Sequence, residues 1–299
     1  MSKAHWLGLS TLPGVGGATL SKLIERFGTA EAVYRASDTE LLAIPRITEQ
    51  TIAHLQQIRL EQLEAEILSL EEAGISVLSW EDADYPHLLQ SISSAPPILY
   101  VQGQFDPQDE KAVAIIGTRE PTPDAIQIAQ SIAQECAHRG LTIISGLAIG
   151  IDTAVHKGAL LAENGRTIAV LGSGLQAIHP RQNIPLAEQI TLRGAVISEY
   201  RPQTRVKGSQ LMARDRIVSG LSLAVIVIQA NEKSGTLDTA QKARKQGRLL
   251  CAVPGSPGAD MLISQGADAL DTDYIDYDAL VKRILNKPYS SKPQQMSLF

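Results

Sequence analysis

With 44% apolar residues in a chain of 299, there is material for a sizeable core, and the length suggests about two domains. No apolar run approaches the roughly 18 residues of a membrane span, and the beginning, MSKAHWLGLS, lacks the long apolar region of a signal peptide, so a cytoplasmic location without membrane contact is expected. A formal net charge of -5 excludes a protein coated in positive charge, so a nucleic-acid partner would need a local basic patch.

From Trp6 to about Leu60 the pattern is helical. Pro13-Gly14-Val15-Gly16-Gly17 precedes a helix with apolar Leu20, Leu23, Ile24 and Phe27, ended by Gly28, and resembles a helix-hairpin-helix. The glycine turn of such a motif lets backbone N–H groups approach a phosphate at a helix start. A second copy, LLAIPRITEQTIAHL, has Pro45-Arg46 where a glycine turn is needed, which weakens the case for direct DNA contact against a role in packing or partner binding. One charged helix, roughly Glu49 to Ala73, follows, and the expected boundaries are 1–65 for an all-α, SAM-like domain, 66–286 for the larger domain and 287–299 for a flexible tail. Strand segments at Ile75 to Trp80 and Ile98 to Val101 extend the larger sheet.

From Lys111 apolar runs and helical patterns alternate regularly. Strands are expected at Ala112–Ile116, Leu141–Ile144, Thr167–Leu171, Ala195–Ser198, Leu223–Ile228 and Leu249–Val253, all continuous Val/Ile/Leu/Ala runs rather than alternating ones. Thr122-Pro123 marks a helix start, and Ile126, Ala129, Ile132, Ala133 and Cys136 form its apolar stripe. Further helices are expected at Asp152–Glu163, Pro185–Leu192, Arg214–Leu221, Thr236–Gln246 and Ala279–Leu285. The class is α/β: an extended Rossmann-like, doubly wound, mostly parallel sheet. Cys136 and Cys251 lack CxxC spacing and read as small buried residues.

Four strand ends carry small or Gly-rich turns: Gly117-Thr118-Arg119, Ser145-Gly146, Gly172-Ser173-Gly174 and Ser234-Gly235. Glycine permits close backbone approach, and helix starts attract anions, so together they describe a phosphate-binding crevice. The crevice lacks GxGxxG, GxxxxGK[ST], HExxH, GxSxG and any Cys/His metal set, which disfavours NAD, ATP and metal chemistry, so no catalytic residue, cofactor or metal is assigned. Asp152 and His156, four apart on one helix face, could form an acid–base pair; the reading adopted is a helix cap and a loop-fixing hydrogen bond. Basic residues cluster at Arg193, Arg201, Arg205, Lys207, Arg214 and Arg216, against Glu199 and Asp215 only.

Gly117-Thr118-Arg119, SGLAIGIDTAVHKGAL, TIAVLGSGL, HPRQN, ARDRIVSGLS, SGTLDTA and GRLLCAVPG occur in the order of the DprA/Smf family of DNA-processing proteins, which the chain resembles from about Ile75 to Leu285. The resemblance implies a homodimeric recombination mediator that binds single-stranded DNA and loads RecA during natural transformation. It implies phosphate-contacting cations at Arg119, Lys207, Arg214 and Arg216, further pocket residues at Gly117, Thr118, Ser145, Gly146, Gly172, Gly174, Asn183, Ser234 and Gly235, and a dimer contact at Met261, Leu262, Ile263 and Leu270. Three positions depart from the family pattern: Leu211 where Phe is usual, Asp215 where Asn is usual, and His179 where Tyr is usual. The alternative is a nucleotide-binding or nucleoside-monophosphate-cleaving Rossmann protein, disfavoured because the turn before Leu237 lacks that group's PGGxGT segment. Finally, Gln295-Met296-Ser297-Leu298-Phe299 fits the peptide pattern Gln-x-Ser/Asp-Leu-Phe that docks on the replicative sliding clamp, with Gln295, Leu298 and Phe299 as its anchors.

Overall fold

The computed structural model describes residues 3–287 and divides into two compact units. The first comprises 3–85 and 90–100, the second 86–89 and 101–287. The expected boundary at 65/66 therefore moves to 85, because the strand after the helices belongs with them: it packs on the first and sixth helices, and the Trp6 and Trp80 rings meet at 5.5 Å. Trp80 Nε1 and the Tyr85 hydroxyl both donate to the Pro96 carbonyl, at 2.8 and 2.6 Å, so residues 96–100 are held by the same unit.

Six helices open the first unit: α1 Lys3–Ser10, α2 Gly17–Phe27, α3 Ala30–Arg35, α4 Asp38–Leu42, α5 Glu49–Gln57 and α6 Leu60–Glu72. The single charged helix expected from Glu49 to Ala73 is two helices. Ile58 leaves the helical region (φ -65°, ψ 130°), and Arg59 starts α6 from an extended conformation. Ile52 and Leu55 are buried from α5, and Ile67 and Leu70 from α6.

The two helix-hairpin-helix copies have the same turn. Gly14 has φ 74° and Arg46 φ 75°, each in a turn closed by a backbone bond (Val15 N to Leu12 O, 3.2 Å; Ile47 N to Ile44 O, 3.1 Å), and Val15 and Ile47 are buried behind them. The second copy thus keeps the shape at the expense of an arginine in the left-handed region. The helix starts differ. Thr48 caps α5 by accepting from Thr51 N, whereas Gly16 offers α2 no side-chain cap, and a Cβ at Gly17 would collide with the Ala95 carbonyl.

Strands β1 Ile75–Ser79 and β2 Ile98–Gly103, with the short α7 His87–Gln90, lead to the second unit. Its strands are β3 Ala112–Ile116, β4 Thr142–Ser145, β5 Thr167–Leu171, β6 Ala195–Ser198, β7 Ala224–Val227, β8 Leu249–Ala252 and the two-residue β9 Asp268–Ala269. They pair in the order β6-β5-β4-β3-β7-β8-β9, every pair parallel. Strands β3 to β7 are buried along their whole length, which is why their sequences do not alternate. Between them lie α8 Pro123–His138, α9 Ile151–Leu161, α10 Ile184–Thr191, α11 Gly208–Gly220, α12 Gly235–Lys245, α13 Pro257–Ser264 and α14 Tyr277–Asn286. Ala129, Ile132, Ala133 and Cys136 of α8 sit in one core cluster with Val113, Ile143 and Val155, and α8 packs on α9. Burial pushes both cysteine thiols up to about 12, as befits inert core residues.

Two helices differ from expectation. Helix α11 begins at Gly208 rather than near Arg214, and α13 was not foreseen although Ser256-Pro257 places Pro at its first position. On α13 and beyond, Leu262 is 2% exposed and Leu270 packs against the core, whereas Met261 and Ile263 are half-buried.

A non-glycine residue at positive φ costs about 1–2 kcal/mol, and glycine in its place regains part of that against its larger unfolded-state entropy. Arg46→Gly is therefore expected to stabilise the protein by roughly 0.5–1 kcal/mol, read as a higher urea midpoint at unchanged slope; a lower midpoint would show that the turn is not strained.

Candidate nucleic-acid interface

The order of strand addition reverses between β3 and β7, and in open parallel sheets ligands collect at such a switch point, beyond the carboxyl ends of the strands. A crevice of about 450 Å³ lies there. Its walls are the turn after β3 (Gly117 to Glu120), the loop after β4 with the start of α9 (Ala148 and Asp152), one face of α11 from Gly208 to Val218, and the start of α12 from Ser234 to Thr239.

Arg214 forms the floor. It is 7% exposed, and its Nε, with Asp215 Oδ1 3.5 Å away, has no hydrogen-bond partner. Gly146 makes room for it, since a Cβ there would collide with both the Arg214 guanidinium and the Asp152 carboxylate. Asp152 was expected to cap α9; Gly150 holds that position instead (φ 85°), and Asp152 accepts from Ala148 N at 3.3 Å and lines the crevice. His156 lies beneath, fully buried. Burial, aided by nearby Arg214, holds its pKa below the ordinary range, so the neutral ring donates from Nε2 to the Gly146 carbonyl (2.6 Å) and contacts the Thr167 hydroxyl through Nδ1 (2.7 Å). That is a loop-fixing contact rather than an acid–base pair.

Opposite the floor, Ser234 starts α12 with no side-chain cap, its hydroxyl donating instead to Asn231 O at 3.0 Å. The first N–H groups of an 11-residue helix thus face the crevice without a side-chain acceptor. Arg119 stands exposed at the rim. The crevice is not uniformly positive: Arg119 and Arg214 share it with Glu120, Asp152 and Asp215. Burial pushes Asp215 up to about 6 despite the attraction of Arg214 and Lys242.

Of the residues singled out in the sequence, Gly117, Thr118, Arg119, Asp152, Leu211, Arg214, Asp215, Ser234 and Gly235 line this one crevice. Gly146 adjoins its floor, and Lys207, exposed, precedes Gly208 at its edge. The others serve the scaffold, and the Thr118 backbone does so too. Thr118 N donates to Gln229 O (2.9 Å), which ties the first turn to β7's extension. Ser145 is buried, its hydroxyl on Ile115 O (2.7 Å). Asn183 braces the β4 loop from below through Leu147 O and Thr153 Oγ1, both at 2.9 Å. Gly172 lies against Leu211, and Gly174 N donates to Thr204 O (2.8 Å), so that turn is covered. Arg216 points elsewhere, forked onto Glu199 with two bonds of 2.6 Å. Sequence reasoning missed Glu120, Met212, Thr239 and the supporting Lys242, whose Nζ holds the Met212 carbonyl at 2.5 Å and pairs with Asp238. Only the i, i+4 spacing of Asp238 and Lys242 was visible beforehand.

Residues 76–278 match the family model of DNA recombination-mediator protein A, and residues 7–57 match a SAM-like helix-hairpin-helix tandem. The chain belongs to the DNA recombination-mediator protein A family. Curated relatives include Protein Smf of Synechocystis, 36% identical over 90% of this chain and 70% of that protein, and DNA processing protein DprA of Bacillus subtilis, 38% identical over 68% and 71%. Among solved structures, DprA of Streptococcus pneumoniae superposes with a TM-score of 0.77 at 29% identity over 90% of this chain and 95% of that one. DNA processing protein A of Helicobacter pylori, whose structure describes a single-stranded DNA binding mode, gives 0.61 at 30% identity over 71% and 95%. Among the described residues no helix is long and apolar enough to cross a membrane.

The raised pKa of Asp215 has a thermodynamic consequence. The folded chain keeps this proton up to about pH 6, the unfolded chain only to about 4. The contribution of this group to stability is therefore greatest below pH 4 and falls as the pH rises through 6. Asp215→Asn should remove that fall, gaining on the order of 1 kcal/mol relative to the parent between pH 4.5 and 7.5; parallel thermal-denaturation profiles for the two proteins would contradict it.

Proposed function

We propose that the chain is a single-strand DNA-binding recombination mediator without catalytic chemistry, acting in the cytoplasm on incoming DNA during natural transformation and loading RecA on it. The observation that carries DNA binding is the buried Arg214, its Nε beside Asp215 but without a hydrogen bond among the described residues, facing the uncapped start of α12 across a switch-point crevice with exposed Arg119 at the rim. Two cations and a helix start suit successive phosphates of one strand. Family membership and the single-strand title of the H. pylori relative support the same reading. Lys207 extends the track along α11's start, while Arg216 contributes by fixing Glu199 away from the strand. The RecA and dimer assignments rest on the family, with Met261 and Ile263 the half-exposed residues of α13 for a second copy.

Titration of labelled oligo(dT), with mononucleotides in parallel and over a salt series, tests the binding. Arg119→Ala should weaken the strand about tenfold and lower the salt slope by about 1, as expected for loss of one phosphate contact. Asp215→Asn should tighten binding above pH 6, where the carboxylate is charged. Tight mononucleotide binding with no strand binding would reverse the assignment. Faster RecA filament growth on coated single strands in the presence of the protein tests the loading step.

The sequence Gln295 to Phe299 lies outside the described residues. We propose on its pattern alone that it docks on the replicative clamp. Capture by immobilised clamp should be lost on deleting 295–299; unchanged capture would refute it.

A further inference from the structure

Single-strand binders hold bases as well as phosphates, and the bases need an apolar face on which to lie. Among the described residues no Phe, Tyr or Trp lines the crevice. Leu211, at the position where the family has Phe, is turned onto Gly172: a Cβ there would meet its Cδ2 at 2.8 Å and its backbone N and Cα at 3.1 Å. It lines the crevice, but packed against the β5 turn and only half-exposed.

Its neighbour is placed differently. Met212 is 55% exposed, and of the large apolar side chains exposed among the described residues it alone lines the crevice. It lies one helical turn before Asp215 on the same face of α11, and Arg214 lies two residues on, forming the floor. Its main chain is fixed, because Lys242 Nζ bonds its carbonyl at 2.5 Å and is itself paired with Asp238 on α12. A thioether is polarisable, makes favourable contacts with aromatic rings, and has enough rotamer freedom to follow rings of different size.

We propose that Met212 is the base platform of this crevice: a nucleobase of the bound single strand lies on its side chain while the adjoining phosphates reach Arg119 and the start of α12. This rests on the single-strand reading above. It makes recognition tolerant of sequence, since any base presents a face to the thioether and none of its edges is required.

The test compares the full chain and two variants, Met212→Ala and Met212→Phe, binding labelled oligo(dT) and a strand of equal length in which abasic spacers replace the nucleosides. Met212→Ala should weaken oligo(dT) about fivefold and leave the abasic strand unchanged, and Met212→Phe should bind oligo(dT) at least as well as the parent. The exposed position means that neither substitution disturbs the core, which a thermal melt of each variant verifies. Equal loss on both strands, or no loss on either, would overturn the platform and leave the single-strand reading intact. If the parent bound neither strand, that reading itself would fall.

Discussion

One buried guanidinium sets the terms for the second unit. Arg214 sits at the carboxyl end of a parallel sheet, out of water, and a charge in that position must be offset locally or it costs several kcal/mol. Asp215 and Asp152 supply the opposite charge, and Gly146 supplies the space. The offset is incomplete. Asp215 is lifted toward neutrality by its own burial, and Arg214 Nε keeps an unmade hydrogen bond. A site in this condition gains from an incoming anion more than a solvated surface arginine does, because the anion's attraction acts at low dielectric and satisfies a donor already stripped of water.

The scaffold around this charge explains why so many small residues cluster at the strand ends. Gly117, Gly146, Gly150 and Gly172 are each pressed against a neighbouring side chain or backbone at positions where a Cβ would collide. Neutral His156, Asn183 and Ser145 then pin the loop after β4 from beneath. Backbone N–H groups that a sequence reading assigns to a phosphate, those of Thr118 and Gly174, are taken by the protein's own carbonyls. The groups left to meet an anion on the proposed reading are few: Arg119, Arg214, the start of α12 and, at the edge, Lys207.

Carboxylates in a crevice proposed to take a polyanion look contradictory at first. Asp152 and Asp215 are the counter-charges of Arg214, while Glu120 lies exposed beside Arg119. On the proposed reading, a crevice balanced in this way would hold its strand by a few directed contacts and an apolar rest for the base, rather than by a broad positive field. The overall charge of -5 is consistent with that economy.

Much of this was legible in the residues. Continuous apolar runs fixed the parallel sheet, because strands covered on both faces have no polar side to show, and Thr122-Pro123 and the terminal glycines marked the helix ends through local backbone chemistry. Spacing also located the Gly-rich turns and the basic cluster. Tertiary contact alone decided which members of those groups meet. Arg214 and Arg216 are two residues apart on one helix, yet one is buried in the crevice floor and the other is forked onto Glu199, because residues at i and i+2 face different neighbours. The split of α5 from α6, the membership of β1 in the first unit and the outward turn of Met212 beside inward Leu211 likewise depend on packing partners distant in sequence, which no local pattern encodes.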